Sequence, residues 1–158
     1  MILVTVGTQI HFDRLIKYVE QWVVESNGEE EVVAQVGSSE FQSNNITVLK
    51  SLEPEQFEEY IKKCRFIISH AGMGSILTAL RVNKPIIIFP RDASLGEHRN
   101  DHQLATARSF SNVDGVYVAK TQDELRQVLS NCSELSSGVL NESQEYKKLL
   151  DNIKVLVS

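Results

Sequence analysis

The segment Ser69-His-Ala-Gly-Met-Gly-Ser75 follows an apolar run, Phe66–Ile68, and precedes a helical pattern. Its two glycines, Gly72 and Gly74, remove the Cβ atoms that would hold a bound group away from the backbone. A helix opening at Ser75 would offer free N–H groups and the positive end of its dipole to a diphosphate. A second polar loop, Arg91–Gln103, follows the next apolar run and carries Glu97, His98, Asn100, Asp101, His102 and Gln103. Together the two loops fit a nucleotide-sugar site at the strand C-terminal ends of an α/β sheet. The glycine loop is not a dinucleotide fingerprint, because Leu77 stands where a third glycine would fall and the loop follows an interior strand. It also lacks the lysine of a P-loop. Taken alone, it fits equally well a tight strand-to-helix turn whose glycines serve packing.

The first strand-to-helix turn, Gly7-Thr8-Gln9, lies on the same sheet edge. By itself it reads as a helix entry with Thr8 as a local cap. His98 and His102 are four apart and would share a face on a helix, with Glu97 and Asp101 nearby. A third metal ligand and an orienting shell cannot be identified, so a helix start rich in hydroxyl-binding groups is the better reading, and no metal is expected.

These groups need a scaffold. At 158 residues and 42% hydrophobic, the chain has the size and composition of one globular domain, expected over 1–158. A net charge of -5 with no basic run argues against nucleic acid as a partner. Cys64 and Cys132 are far apart with no CxxC, which gives no zinc or redox motif and suits a reducing cytoplasm. The chain enters a strand at once, without the charged start of a signal peptide. Its apolar runs are strand-length, far short of the roughly 20 residues that span a bilayer.

Strands are expected at Ile2–Val6, Val32–Val36, Ile46–Leu49, Phe66–Ser69, Pro85–Phe89 and Gly115–Val118. Between them, Phe12, Leu15, Ile16, Val19, Trp22 and Val23 recur at helical spacing, and Asn27-Gly28 ends that helix. Further helices are expected at Pro54–Lys63, Ser75–Val82 and Asn100–Phe110, and another with Thr121-Gln-Asp-Glu124 as its capping box. A last amphipathic helix, 142–154, would dock on the body through Tyr146, Leu149, Leu150 and Ile153. The alternation calls for a doubly wound parallel sheet.

Four segments in combination carry a family likeness: Val4-Thr-Val-Gly-Thr-Gln9 with Phe12-Asp-Arg-Leu-Ile16, then Ser69–Ile76, Lys84–Pro90 and Asn100–Gln103. They resemble the donor-binding, C-terminal half of GT-B glycosyltransferases of the family 28 type, over nearly the whole chain. The likeness is nearest to the soluble catalytic subunits of two-subunit enzymes. Those include the eukaryotic UDP-GlcNAc transferase of dolichol-linked oligosaccharide assembly and bacterial capsule or exopolysaccharide transferases.

The resemblance implies a Rossmann-like sheet and an inverting transfer of a hexose from a UDP-sugar to a lipid-linked (polyprenyl diphosphate) saccharide. It places Gly7, Thr8, Gly72, Gly74 and Ser75 on the donor diphosphate, with His70 as the catalytic hydrogen-bond donor. Asn100, Asp101, His102 and Gln103 match the segment that reads sugar hydroxyls, and uracil would sit against Leu49–Leu52. Relatives place an acid for the ribose hydroxyls where Thr78 stands here, so ribose binding is expected to be weaker there or to come from Glu97.

No cofactor is implied. The general base and the acceptor cleft would belong to a separate membrane-anchored subunit, with His11 and Asp13 near the cleft mouth as base candidates in this chain. The chain would then be cytoplasmic and peripheral to the membrane through that partner, and alone it would cover the same surface by self-association. Two other readings stay open: a non-catalytic nucleotide-sugar binding or regulatory module, and a protein like the sugar-nucleotide epimerases. Chain length argues against the second, because epimerases carry both domains on one chain.

Overall fold

The computed structural model describes residues 1–8 and 10–138. Runs such as Ile2–Thr5 and Ile86–Phe89, buried at every residue, are what a strand covered on both faces requires. They belong to a sheet of six parallel strands: β1 (Ile2–Thr5), β2 (Val32–Gln35), β3 (Thr47–Leu49), β4 (Ile67–His70), β5 (Ile86–Phe89) and β6 (Val116–Val118). The spatial order is β3-β2-β1-β4-β5-β6, every neighbouring pair parallel.

Alternate strand residues feed two separate cores. Ile2, Val4, Ile68, Ile87 and Phe89 pack with Leu15, Ile16 and Val19 of α1 (Asp13–Glu25) and with Leu125 and Leu129 of α5 (Gln122–Ser130). Leu3, Ile67, Ile86 and Ile88 pack on the other face with Ile61 of α2 (Pro54–Lys63), Ile76 and Leu80 of α3 (Met73–Arg81), and Phe110 of α4 (His102–Phe110). The sheet is therefore doubly wound, a Rossmann-like α/β fold, as the alternation of periods requires. Among the described residues no helix is long and apolar enough to cross a membrane.

Helix ends follow local chemistry, with some shifts from expectation. At the end of α1, Ser26 donates to the Trp22 and Val23 carbonyls, and Asn27 and Gly28 both turn left-handed (φ 62° and 66°) as expected. The helix expected to open at Ser75 begins at Met73, with Gly72 as its N-cap, so Ser75 is its third residue. The helix expected from Asn100 begins at His102, because the Asn100 side chain accepts the His102 N–H and holds the preceding turn. Thr121 caps α5 by accepting from the Glu124 N–H, but Glu124 reaches the Lys120 N–H rather than closing the expected box on Thr121. Short 3₁₀ turns at Ala93–Leu95 and Cys132–Glu134 were not foreseen. The expected helix at 142–154 lies outside the described residues.

The order β3-β2-β1-β4-β5-β6 places a topological switch between β1 and β4. The chain leaves β1 toward β2 on one side and leaves β4 toward β5 on the other, which opens a crevice at their C-terminal ends. Thr5 pairs with Ser69, so Val6–Thr8 comes level with His70–Gly72.

Candidate functional site

His70 is the last residue of β4, and its imidazole occupies the space that two glycines leave. A Cβ on Gly72 would stand 2.7 Å from Nε2 and 2.9 Å from Nδ1 of the ring. A Cβ on Gly7, whose φ is +78°, would stand 3.0 Å from Nε2. The sequence pattern suggests that Gly72 lets a ligand approach the backbone, and the family resemblance puts Gly7 on the same diphosphate. In the structure both make room first for His70. Gly74 is different: open space surrounds its Cβ position, in the first turn of α3. No side chain caps that helix, so the Met73, Gly74 and Ser75 N–H groups begin it without an intrahelical acceptor.

Gln103 determines the tautomer of the ring. It is 6% exposed, and its Oε1 accepts the N–H groups of Ala71 (3.1 Å) and Arg91 (3.0 Å). Two donors on the oxygen fix the amide orientation, so the nitrogen 2.9 Å from His70 Nδ1 donates to it. Nδ1 is then the acceptor, and the neutral ring carries its proton on Nε2, beside Gly7. Burial, reinforced by the positive charge of Arg91 and by His98, pushes the His70 pKa down to about 4. At neutral pH the imidazole is an uncharged N–H donor. Its placement was legible from sequence; the role of Gln103 was not, and the amide expected on a sugar hydroxyl is engaged by Ala71, Arg91 and His70.

Other expected residues fall around this centre. Asn100, Asp101 and His102 are exposed at the start of α4. His98 lies in the loop before that helix, so His98 and His102 do not share a helix face. Among the described residues no group of three His, Cys, Asp or Glu side chains is placed to hold a metal ion. Glu97, weighed as a ribose ligand, is bonded through both oxygens to Arg14 (2.8 and 2.9 Å) and accepts the Asp92 N–H as well. Thr78 gives its hydroxyl proton to the Gly74 carbonyl. Asp13, a base candidate, accepts from the Ser39 hydroxyl, while the His11 side chain is exposed.

Gly7, Thr8, Ile10, His70, Arg91 and His98 are among the walls of a cleft of about 250 Å³. Sequence reasoning missed Arg91, which is 3% exposed and donates to the carbonyls of Val6, Ile10, His11 and Glu97. Its only sequence signal is a charge directly after the β5 run and Pro90. A roomier hollow of about 680 Å³ lies beneath the β2–β3 loop, lined in part by Glu20 and Glu40. Glu20 there accepts from Ser43 and Asn45 and so fastens the loop itself. The smaller cleft is the better anion receptor: it has a neutral N–H donor, His70, and a buried guanidinium, Arg91, in its walls, and no carboxylate is among its described walls.

The model of the glycosyltransferase family 28 C-terminal domain matches residues 1–155. The chain is 32% identical over 91 residues to the UDP-N-acetylglucosamine transferase subunit ALG13 of Candida albicans, covering 58% of this chain and 29% of that protein. To the Homo sapiens subunit of the same name it is 31% identical over 118 residues, covering 69% of this chain and 10% of the relative. The chain thus spans less than a third of either relative. In fold it is similar to the NMR solution structure of ALG13, with a TM-score of 0.63, 19% identity, and coverage of 94% of this chain and 93% of that one.

Proposed function

The chain belongs to the glycosyltransferase family 28 C-terminal domain family, and from that membership we propose that it is the donor-binding subunit of a UDP-sugar-dependent glycosyltransferase. UDP-N-acetylglucosamine is the favoured donor, because it is the one named by the curated relatives. The observation that carries the reading is the neutral His70, its proton on Nε2, at the β1/β4 switch beside the uncapped start of α3.

The proposed reaction is an inverting transfer to a lipid-linked saccharide. The acceptor oxygen attacks the anomeric carbon from the face opposite UDP and forms the new C–O bond. The bond from the anomeric carbon to the β-phosphate oxygen breaks, and its electron pair stays on UDP. The acceptor proton passes to a base on a membrane-anchored partner subunit, through which this chain sits at the cytoplasmic membrane surface. Negative charge grows on the departing diphosphate. In this reading the His70 N–H, the α3 amides and the Gly7–Thr8 turn would receive it; the open N–H groups at the start of α3 and the Nε2 proton of His70 beside Gly7 support this. His70 would contribute most as the charge develops, and hence to turnover more than to donor affinity.

Calorimetry with UDP in EDTA tests the donor site. Binding unaffected by the chelator is expected, because the proposed contacts are N–H groups. Binding that disappears in EDTA would overturn the metal-free reading.

A further inference from the structure

Arg91 is a buried cation with an unusual set of partners. Its guanidinium donates to main-chain carbonyls: Nη1 to His11 and Glu97 (3.1 Å each), Nη2 to Ile10 (2.6 Å) and Val6. It also lies 4.9 Å from the centre of the Phe12 ring. Val6, Ile10 and His11 belong to the β1–α1 turn, and Glu97 to the β5–α4 loop. The Glu97 carboxylate is itself fixed by Arg14 and the Asp92 N–H, so the loop is anchored before Arg91 uses it. Burial draws the guanidinium pKa below its ordinary value and Glu97 acts against that, but an arginine remains charged. A hydrophobic side chain of this size could fill the same space without the desolvation cost.

The direction of the peptide groups gives this cation a purpose. In a trans peptide the N–H points opposite to the C=O, and the described residues contain no cis bond. Drawing the Val6, Ile10 and His11 carbonyls onto Arg91 therefore turns the Gly7, His11 and Phe12 amides away from it. Carbonyl oxygens, which would repel a phosphate, are gathered inward; N–H groups, which attract one, face outward. The backbone of Arg91 is tied to the same centre, since its N–H shares Gln103 Oε1 with Ala71 while Gln103 Nε2 holds His70.

We propose that Arg91 is a positioning residue for the donor diphosphate: by gathering the carbonyls of the β1–α1 turn, Val6 among them, it sets the Gly7 amide to receive an anion, and it adds positive charge behind it, while Gln35 holds the Gly7 carbonyl that fixes the next amide. The inference rests on the donor-site reading above. It goes beyond that reading by assigning the setting of the Gly7 amide to one side chain outside the expected set.

The test compares UMP and UDP, which differ by one phosphate, by calorimetry on the wild type, Arg91→Gln and Arg91→Lys, with thermal unfolding alongside. The wild type should bind UDP more tightly than UMP. In Arg91→Gln that preference should fall about tenfold, the equivalent of one charge-assisted hydrogen bond, with UMP affinity nearly unchanged. Lysine keeps the charge but, as a point donor, cannot span four carbonyls, so Arg91→Lys should lose part of the preference, about threefold.

A scaffold role would weaken UMP and UDP alike and leave their ratio intact, and that result overturns the proposal. So does a wild-type preference unchanged in both variants. If Arg91→Gln does not fold, Arg91→Lys decides by the same ratio. Equal affinity of the wild type for UMP and UDP would instead remove the diphosphate reading itself, and this inference with it.

Discussion

The His70 imidazole is held in one protonation state by neighbours both near to it and far from it in sequence. Gln103 closes Nδ1, Gly7 and Gly72 confine the ring, and burial lowers its pKa to about 4. The unfolded chain would titrate the same histidine near 6.5. Above that pH both states are neutral and the group does not affect stability. Below it the unfolded state binds a proton that the folded state refuses, so stability falls as pH drops from about 6.5 to about 4, by roughly 3 kcal/mol in full. Denaturant titrations at several pH values check this: the loss should be largely absent in His70→Gln, and a loss of equal size in that variant would assign it to other groups. Nitrogen NMR should find the proton on Nε2 at neutral pH. In Gln103→Leu the ring should lose that single tautomer, with kcat falling more than donor affinity. The variant also leaves two buried N–H groups unpaired, at about 1–3 kcal/mol each, so its stability must be measured alongside.

At the scale of elements, the turn from β4 into α3 separates two glycines that look alike in sequence. Gly72 is the N-cap and has the His70 ring where its Cβ would be, whereas Gly74 has open space. Gly72→Ala should destabilise the fold by about 1–3 kcal/mol, or expel the ring and weaken UDP binding. Gly74→Ala should be neutral or stabilising by up to about 1 kcal/mol, since alanine is the better helix former. Thermal unfolding of the pair decides, and equal costs would contradict the placement of His70. The alternation of strands and helices was legible because strands buried on both faces are continuous apolar runs, while the helices carry a 3.6-residue stripe. That the Gly7 turn and the His70 loop share one sheet edge followed once a doubly wound sheet was expected; the contact between them did not. What escaped the sequence is contact that leaves no pattern in it: Arg91 bonds to carbonyls, which every residue has, and Gln103 meets His70 across 33 positions. The shift of α4 to His102 has the same origin, a side-chain turn at Asn100 displacing the first helical residue.

At the scale of the molecule, the cleft offers an N–H donor and a buried cation to an anion but weak means to take a proton. Among the described residues no carboxylate lines it: Asp13 is occupied by Ser39 and Glu97 by Arg14 and Asp92. His70 is a poor base with a pKa of about 4, its Nδ1 already accepting from Gln103. A hydroxyl attacking the anomeric carbon must nevertheless lose its proton, and general bases contribute typically 10²–10⁴-fold to such steps. Under the function proposed above, the base is assigned to the proposed partner subunit. The purified chain should bind UDP-sugar yet transfer nothing to a polyprenyl-diphosphate-linked saccharide until that subunit is supplied, and product assays with each component alone and with both together test this. His98 provides the internal control, as an imidazole on the cleft wall whose Nδ1, among the described residues, accepts a long 3.4 Å bond from the Asn100 N–H. Transfer by the isolated chain that His98→Ala abolishes would place the base within this chain and overturn the divided mechanism. Transfer that appears only with the partner, and survives His98→Ala, is the outcome that the engaged carboxylates and the neutral His70 lead us to expect.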